Sequence, residues 1–548
     1  KFGGRISSIM NIKTRDGNKK KFSGKLSANT FSSKVLLEGP FLGNSNENLE
    51  TSAIFSLRSS YLDKTSKNFY SYISEDGLPY SFTDLYGKMS IFSNNGSKFN
   101  LYGFNFLDDV DYDNLTQLTW KTHGLGSNFV LVPGSAKMLI EGEITYSNYN
   151  INEQSEEENL TSQINGFNLN LDFSYFMSTE SEVRYGLQVS GYSTSLDIIN
   201  QNNFFSQIDH STDFAAYVDY NLSKNRFVFN PGFRFQNYTS LGENRLEPRV
   251  SMKYNISEKI RLKASGGAFS QNLISTNDDT DVVSLFTGFL SSTENIPSTF
   301  QNEEINSLLQ TATHYVIGLE YDISNNLNIN IEGYFKKFNQ LIGLNRNKIY
   351  EDIPEFSNQL DFLKKDFMIE KGDAKGVDFL LKYNSKKINI WSVYSFGIVN
   401  REDELQIYSP HYDRTHNFNF VFSYVMGRKK LWDLNVRWNY GSGFPFTQSQ
   451  AYFEDLDLSN INLSEFINTN GNLGIIYSDL NEGRLPDYHR LDLSLTKKIN
   501  LKNSTFMEIA LGVTNLYDRS NIFYYDRVNA VRINQLPIMP NVGFNWTF

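Results

Sequence analysis

Apolar and polar residues alternate with a period of two along most of this chain. In residues 417–425, NFNFVFSYV, every even-numbered position is aromatic. In residues 490–499, RLDLSLTKKI, the first leucines alternate with Asp, Ser and Thr. Because successive side chains of a β-strand point to opposite faces, each run predicts a strand with one apolar and one polar face. Further runs of this kind cover residues 214–220, 227–235, 328–335 and 509–513.

The breaks between these runs are unequal in length. Short polar turns fall at residues 223–225, 257–258, 324–326, 427–429 and 502–503. They alternate with long segments at residues 270–311, 340–373, 446–487 and 518–537. Short periplasmic turns at one rim and long extracellular loops at the other are typical of an outer-membrane barrel. The pattern predicts an all-β fold, a transmembrane antiparallel β-barrel of roughly 22 strands, uncertain by about two because strand boundaries are hard to place.

The composition favours strands rather than helices as the membrane-crossing elements. Apolar residues make up 40% of the chain, and no run approaches the roughly 18 to 20 consecutive apolar residues of a spanning helix. The mean hydropathy is negative. A barrel tolerates this value because each strand needs only about 9 to 11 alternating residues to cross. The 32 Tyr and 44 Phe residues suit the aromatic girdles of such a barrel.

Charge and cysteine content narrow the function further. The formal net charge of -10 argues against nucleic acid as a partner, because phosphate binding requires a basic face. The absence of cysteine suits a protein exported through an oxidising periplasm. The chain begins at Lys1, and its first residues contain no apolar core of a signal peptide. We therefore interpret it as a processed or partial chain and infer export from the body of the sequence.

The carboxy-terminal segment NVGFNWTF is an alternating strand that ends on an aromatic residue. Asn541, Gly543, Trp546 and Phe548 give it a polar, glycine, aromatic, aromatic order. This order resembles the signal by which the outer-membrane assembly machinery recognises the closing strand of a β-barrel. A closing strand must place alternate side chains in lipid while its backbone pairs with the first strand and leaves no free edge. We expect these four residues to form the barrel assembly signal.

The amino-terminal segment FGGRISSIMNIKTRDGN resembles the final strand of the plug domain in TonB-dependent outer-membrane receptors. Gly3, Gly4, Arg5, Ser7 and Ser8 match the glycine, arginine and serine pattern that closes those plugs. In this resemblance residues 10–14 supply the last plug strand, and a polar linker follows. The five matching residues are therefore predicted to form the junction between plug and barrel.

Other segments resemble the same family in the same order. The segment KFSGKLSANTFSSKVLLEGPF is similar to the first barrel hairpin of these receptors. Further similar segments are HYDRTHNFNFVFSY, WNYGSGFPFT, RLPDYHRLDLSL and NLYDRSNIFYYD, which begin at His411, Trp438, Arg484 and Asn515. Together they span essentially the whole chain.

The resemblance implies two parts and a mechanism. Residues 1–18 would be the end of a plug domain with its linker, and residues 19–548 the barrel in the outer membrane of a Gram-negative cell. The implied function is a receptor that imports an unidentified external solute, a chelate, an oligosaccharide or a peptide, with force from the TonB system. The chain differs from the family pattern in one respect: of the plug, only the last strand is present. The TonB complex would therefore act through a plug segment absent from this chain.

Two other functions remain open at this point. A plug-deficient barrel could serve as a structural or docking subunit of a larger outer-membrane complex, and a passive porin would need an unplugged lumen. A surface lipoprotein acting as a lid would favour import, whereas association with other outer-membrane proteins would favour the structural subunit. Outer-membrane lipid and lipopolysaccharide are expected neighbours in each case.

The sequence gives little support for a metal site. His411, Asp413 and His416 lie close together, but positions 411 and 416 point to opposite faces of a strand, so no metal site is predicted. Acidic clusters could hold Ca²⁺ in loops, although solvated loop charge is the simpler reading. These clusters are Asp108, Asp109, Asp111 and Asp113, and Asp278, Asp279 and Asp281.

Catalytic motifs are not found either. The chain has no G-x-S-x-G elbow and no glycine-rich phosphate loop, so neither an enzyme nor a cofactor is predicted. Basic residues at the rims could contact lipopolysaccharide phosphates, but no site is assigned to them. They are Arg346, Lys348, Arg428, Lys429 and Lys430. The residues that bind the solute cannot be named from the sequence.

Overall fold

The computed structural model describes residues 2–41, 49–112, 116–134, 137–155, 158–200, 204–276, 285–291, 295–455, 472–502, 505–527 and 531–548. Its main sheet is antiparallel, and 22 of its strands form a closed barrel, as the alternating pattern predicts. These strands are β1 Ser23–Asn29, β2 Ser32–Gly39, β3 Leu49–Ser60, β4 Tyr80–Ser93, β5 Lys98–Tyr112, β6 Thr116–Leu131, β7 Met138–Ser155, β8 Glu158–Phe176, β9 Ser181–Asn200, β10 Phe204–Lys224, β11 Phe227–Tyr238, β12 Glu243–Asn255, β13 Ile260–Gln271, β14 Gln310–Ser324, β15 Leu327–Leu344, β16 Phe367–Asn384, β17 Ile388–Glu402, β18 His416–Met426, β19 Trp432–Gly441, β20 Tyr488–Asn500, β21 Phe506–Thr514 and β22 Met539–Thr547.

The barrel closes where β1 pairs with β22. Leu26 lies opposite Trp546, and the register continues to Asn29 opposite Gly543. Gly24 of β1 and Phe548, the residue after β22, exchange two backbone hydrogen bonds, of 2.9 Å and 3.0 Å between nitrogen and oxygen. The sheet therefore has no free edge at this seam, as a membrane-spanning sheet requires.

Each strand separates its side chains between the lumen and the outer face. In β11, Arg234, Gln236 and Tyr238 are buried in the lumen, whereas Phe233 is 43% exposed on the outer face. In β18 and β19, Asn439 donates a hydrogen bond to Asn419 in the lumen. The aromatic side chains that alternate with these asparagines lie outside. Period-two alternation in the sequence thus becomes a polar lumen inside an apolar band.

The two rims differ, though less regularly than the sequence indicates. In the second half of the chain, short turns alternate with long loops as predicted, and the long connections are residues 272–309, 345–366, 403–415, 442–487 and 515–538. In the first half, β7 to β10 are 18 to 21 residues long and extend the barrel wall at the same rim instead. We call the end with the long connections the loop rim and the opposite end the turn rim.

Several short helices and strand pairs lie at the loop rim. One α-helix, α1 Leu62–Phe69, follows β3. Single-turn 3₁₀ helices lie at Thr239–Leu241, Pro354–Phe356 and Asp361–Leu363. Small strand pairs are Ile274–Ser275 with Phe289–Leu290, Thr299–Phe300 with Glu303–Glu304, Pro445–Phe446 with Gly483–Arg484, Ser449–Asp455 with Asn472–Tyr477 and Ile522–Asp526 with Val531–Asn534, and Ile407–Tyr408 pairs with the end of β17. Within the ranges above, no helix has the length and apolar character needed to cross a membrane.

The seam makes a prediction about Gly24, which faces outward beside Phe548. A Cβ atom there would lie 2.6 Å from the Phe548 ring and 3.0 Å from the Leu36 carbonyl oxygen. We expect Gly24→Val to overpack the seam at a cost of about 1 to 3 kcal/mol. The variant should lose its resistance to SDS at a lower temperature than the wild type in a gel-shift assay.

The matched control is Gly87→Val, because a Cβ at Gly87 on the outer face of β4 meets no atom within 4 Å. The control should unfold at the wild-type temperature. Equal unfolding temperatures for the two valine variants would show that the seam is not tightly packed at Gly24.

Candidate functional site

Two segments enter the barrel lumen from opposite ends. The first is the described part of the connection between β13 and β14, residues 272–276, 285–291 and 295–309, which we call the strap. The second is the segment of residues 2–18, which we call the amino-terminal segment. Both contact inward-facing side chains of several strands, so they determine the free space that remains.

The strap enters the mouth of the lumen because its apolar side chains are buried there, away from water. Ile274 and Leu290 are almost completely buried, at 1% and 0% exposure. They belong to an apolar cluster with the inward faces of β5, β6, β7 and β9 and with the upper ends of β15 and β16. The buried members are Val110, Leu118, Ile151, Leu196, Ile274, Phe286, Leu290, Phe300, Ile342, Phe367 and Ile369. Apolar burial is therefore the main force that holds the strap.

Hydrogen bonds fix the position of the strap at several points. The backbone N–H of Phe289 donates to Ser162 Oγ at 3.2 Å. The hydroxyls of Thr194 and Ser291 lie 3.1 Å apart. Further along, Asn295 donates to Asp366 at 2.7 Å. These bonds tie the strap to β8 and β9 on one side and to the connection before β16 on the other.

The amino-terminal segment is held at its start by buried charge. Arg234 and Glu247 are 2% and 1% exposed, and Arg249 bridges them to the segment by pairing with Glu247 at 2.6 Å and donating to the Phe2 carbonyl. Gly3 lies against Arg234 so closely that any Cβ atom would overlap its Nε atom. Glycine is therefore the residue that this close approach requires.

The other predicted junction residues lie near this anchor. Gly4 is buried with a φ of 69°, and the Arg5 guanidinium lies 5.7 Å from the centre of the Tyr192 ring. Ser7 lines the cavity described below, and Ser8 is exposed. Their role as a plug–barrel junction stays a prediction.

The expected plug strand at residues 10–14 is wrong for the described chain. These residues form no strand pairing, and Met10 and Ile12 are 84% and 77% exposed. The physical reason is that no neighbouring strand in the described ranges offers backbone partners, without which an extended segment gains no ladder hydrogen bonds.

A second anchor holds the segment near the turn rim. The Asp16 carboxylate pairs with Lys88 at 2.9 Å and Lys98 at 2.7 Å. Partial burial alone would raise the pKa of Asp16, but hydrogen bonds and attraction from Lys98 and Lys88 outweigh burial and hold it below its usual value. Asp16 therefore stays ionised at neutral pH, and both lysines remain paired.

A cavity of about 440 Å³ lies between the two segments and the barrel wall. Its lining combines the amino-terminal segment, the strap, the loop-rim ends of β13 to β17 and the connections after β15 and β17. The polar lining residues are Ser7, Gln271, Ser275, Thr276, Gln310, Asn345, Arg346, Glu370, Arg401, His411 and Tyr412. This is the candidate functional site.

An ionic network forms one wall of the cavity. Glu370, 3% exposed, accepts from Arg346 at 3.1 Å and from Arg401 at 3.3 Å. It also accepts the Tyr408 hydroxyl at 2.6 Å. Arg346 pairs with Asp403 as well. The network presents guanidinium and phenol groups in fixed positions, which suits a polar solute with oxygen acceptors.

The residues considered as metal ligands point to different partners. His411 lines the cavity, while Asp413 accepts from Arg484 at 2.6 Å. The His416 ring nitrogen lies 2.9 Å from the Tyr394 hydroxyl. In the part of the chain that the structure describes, no group of three or more His, Cys, Asp or Glu side chains is placed to hold a metal ion.

The expectation that the acidic clusters lie in loops is corrected for the first cluster. Asp108, Asp109 and Asp111 lie in strand β5, not in a loop, and Asp108 accepts the Tyr80 hydroxyl at 2.6 Å. The other acidic candidates, Asp113, Asp278, Asp279 and Asp281, fall outside the described residues.

Arg346 and Lys348 are not free to contact lipid phosphates. Arg346 lines the cavity, and Lys348 pairs with Glu351 and Asp366, each at 2.9 Å. Lys348 is paired with carboxylates of its own connection, and Arg346 is paired with a carboxylate of β16. Arg428, Lys429 and Lys430 are exposed at the turn rim.

Comparison with known proteins identifies relatives of this fold. The family model described as TonB dependent receptor-like, beta-barrel matches residues 40–516. No curated protein matches the chain significantly. Among solved structures, the unliganded ferric citrate transporter FecA shares 14% identity with a TM-score of 0.63, covering 98% of this chain and 80% of its own.

Two further solved structures are similar at comparable levels. The ferripyoverdine receptor of the outer membrane of Pseudomonas aeruginosa shares 11% identity with a TM-score of 0.65, covering 98% of this chain and 72% of its own. The copper transporter OprC shares 11% identity with a TM-score of 0.62, covering 98% of this chain and 82% of its own. At such low identity these likenesses establish the fold alone.

The lowered pKa of Asp16 predicts how the amino-terminal segment responds to pH. A depressed folded-state pKa stabilises docking fully above the unfolded value of about 3.9, and the contribution is lost as the pH falls through the folded value. A spin label on Lys13→Cys should therefore be immobile at neutral pH and become mobile as the pH falls through the lowered pKa of Asp16, which lies under the unfolded value of about 3.9. The chain has no other cysteine to label.

In the same labelled protein, Asp16→Ala should make the label mobile at pH 7. Asp76→Ala, which removes an exposed carboxylate elsewhere, should leave it immobile. A label that stays immobile in the Asp16 variant would show that the two lysine pairs do not hold the segment.

Glu370 should matter more than its exposed neighbours. In Glu370→Ala, Arg346 and Arg401 lose their shared buried carboxylate, and breaking such a pair costs about 3 to 5 kcal/mol. Amide hydrogen exchange at residues 345–366 and 403–415 should become faster. Glu303→Ala is the control, because that side chain is 78% exposed and pairs with Lys371 at the surface. Its loss should cost at most about 1 kcal/mol. Equal exchange in both variants would rule out the network as the stabiliser of these connections.

Proposed function

We propose that this chain, which belongs to the TonB-dependent receptor-like β-barrel family, imports a polar external solute that binds in the lumen cavity below the strap. The family is one of outer-membrane receptors and transporters, not of enzymes, and it places the barrel in the outer membrane with the TonB system as its energy source. The loop rim faces the outside of the cell. The observation that carries the proposal is the cavity enclosed between strap, amino-terminal segment and ionic network.

The geometry supports entry from the loop rim. A solute that reaches the cavity from outside must pass the strap, whose Ile274 and Leu290 are buried against the barrel wall. The strap can open only if the solute or the energising complex favours the open arrangement over the closed one. Its apolar contacts return it to the closed arrangement afterwards, which limits leakage through a lumen of this width.

The lining favours an oxygen-rich solute. Gln271 and Gln310 offer both donors and acceptors, and Arg346 and Arg401 offer charged donors. A volume of about 440 Å³ lies within the usual range for small-molecule sites, about 300 to 1,000 Å³. Chelates, oligosaccharides and peptides all satisfy this description. The names of the similar structures mention ferric citrate, ferripyoverdine and copper, so chelates are the first solutes to screen.

The amino-terminal segment is the part that would transmit force. It lines the cavity at Ile6 and Ser7 and is tethered to the barrel wall at Asp16. Force from the TonB complex, applied through plug residues, reaches the cavity along this segment. Withdrawal of Ile6 from its packing against Ala312 and Leu341 would open the cavity toward the periplasm.

The first test identifies the solute and its energy source. The natural gene product is purified from native outer membranes, and bound small molecules, metals and proteins are identified by mass spectrometry. Uptake of the identified solute is then measured in cells with and without TonB. Uptake that depends on TonB supports the proposal. A protein that carries no solute and remains in a stable complex with assembly or secretion barrels indicates a structural subunit instead.

Locking the strap should stop transport without destroying the barrel. Thr194 and Ser291 have hydroxyls 3.1 Å apart, so Thr194→Cys with Ser291→Cys places two thiols within reach of a short crosslink. Oxidation should abolish uptake of the identified solute, and a reductant should restore it. Each single-cysteine variant should transport normally under both conditions. Full uptake by the crosslinked protein would mean that the strap does not lie on the path.

A further inference from the structure

A second pocket lies outside the barrel, on its outer surface at the loop rim. Its volume is about 440 Å³, and it is separate from the lumen cavity. The lining residues are Pro486, His489, Tyr517, Arg519, Ser520 and Arg532. They come from the end of the connection before β20, the start of β20 and the connection between β21 and β22.

The strand register shows that the pocket faces away from the lumen. His489 lies opposite Tyr440, two positions along the strand from the pair Trp438 and Leu491. Trp438 and Tyr440 alternate with Asn439, whose side chain binds Asn419 in the lumen. His489 and Tyr440 therefore project from the outer face, where the barrel meets lipid.

Aromatic groups of the kinds that concentrate at the membrane interface border the pocket. The Tyr517 hydroxyl accepts from Trp438 Nε1 at 3.2 Å and lies 2.6 Å from a His489 ring nitrogen. The Trp438 and Tyr440 rings stack with centres 6.2 Å apart. Tyrosine and tryptophan concentrate where lipid headgroups meet hydrocarbon, because their rings are apolar and their tips are polar.

Neither arginine of the pocket forms an ion pair with a carboxylate of the described residues. Arg519 donates to the Asp487 backbone carbonyl at 3.0 Å, and Arg532 donates to Asn534 Oδ1 at 2.7 Å and to the Ser520 carbonyl. Across the described residues, neither guanidinium lies within ion-pair distance of a carboxylate. The lumen arginines of the ionic network, by contrast, share carboxylates.

Two aspartates that neighbour the pocket residues in sequence accept hydrogen bonds from other groups. Asp487 accepts from the Tyr440 hydroxyl at 2.8 Å and from the Gly443 N–H at 3.2 Å. Asp518 accepts from the Ile538 N–H at 2.8 Å. The guanidinium groups of Arg519 and Arg532 therefore have no ion-pair partner among the described residues, and burial leaves the Arg519 Nε–H without a hydrogen-bond partner there.

We propose that this pocket binds the phosphate-bearing headgroup of a glycolipid in the outer leaflet of the outer membrane. Guanidinium groups bind phosphate oxygens through paired charge-assisted hydrogen bonds. The Tyr517 and His489 rings lie where sugar and the first acyl carbons would pack, and Leu491 continues the apolar surface toward the membrane centre. The bound headgroup ties the connection before β22 to the start of β20.

The test measures binding of one defined lipid to the full-length protein in detergent. Purified wild-type protein is titrated with lipid A that carries two phosphates, and complexes are counted by native mass spectrometry. We expect saturable binding of one lipid at this pocket and at least a tenfold loss of affinity in Arg519→Ala with Arg532→Ala. Lipid A without phosphates should bind the wild type as weakly as the doubly phosphorylated lipid binds the variant.

Controls separate charge, folding and location. Arg428→Ala with Lys429→Ala removes exposed cations at the turn rim and should bind like the wild type. Ser520→Asp keeps both arginines but adds a competing carboxylate, and it should lose affinity to a similar degree. Heat-modifiable migration in SDS gels confirms that each variant is folded.

Three results would overturn the proposal. One is equal affinity of the wild type and both pocket variants. Another is equal affinity for the lipid with and without phosphates. The third is displacement of the lipid by inorganic phosphate at micromolar concentration, which would make the pocket a general anion site rather than a lipid site.

Discussion

The need to satisfy every backbone hydrogen bond inside a bilayer governs this structure. A sheet with a free edge cannot lie in hydrocarbon, so the last strand must find the first. Here β22 pairs with β1 along residues 25–29 and 543–547, and Gly24 and Phe548 complete the seam. Closure with 22 strands creates a wide lumen. The remaining features of the chain concern what occupies that lumen and what surrounds the barrel.

The lumen is occupied by two elements that are held by different forces. The strap is held chiefly by apolar burial, with Leu290 and Ile274 inserted between strand ends. The amino-terminal segment is held mainly by charge, through Arg249 at its start and Asp16 near its end, with Ile6 packed against Ala312 and Leu341 between them. Apolar contact is not directional and can be broken and restored at one place, whereas ion pairs define position. A cavity between an apolar cover and a charged tether can therefore open on either side separately.

Most of the barrel could be predicted from the sequence, because strand periodicity is local information. The runs at residues 417–425 and 490–499 became β18 and β20 with the expected inner and outer faces. The same reasoning failed where local pattern does not decide structure. Residues 10–14 alternate like a strand yet pair with nothing in the described chain, and Asp108 to Asp111 extend β5 where a loop was expected.

The candidate site was beyond sequence reasoning for a related reason. Glu370, Arg346 and Arg401 lie far apart in the chain and meet only because the barrel register and two connections bring them together. No spacing motif marks them. The strap offered one signal, the apolar residues Phe286, Phe289 and Leu290 within a long polar connection, which is unusual for a solvated loop. The glycines and the arginine near the amino-terminus were singled out by their resemblance to the end of a plug domain, and only Gly3 proves to lie where a close approach, to Arg234, requires glycine.

The central claim is that strap and amino-terminal segment move separately during import. The most direct measurement is a pulsed electron-spin distance between labels on Thr299→Cys in the strap and Asn225→Cys at the turn rim, in native outer membranes. The account predicts one narrow distance distribution at rest and a second, longer distance when the solute is present, with or without TonB. A single unchanged distribution under all conditions, together with active uptake, would contradict the account.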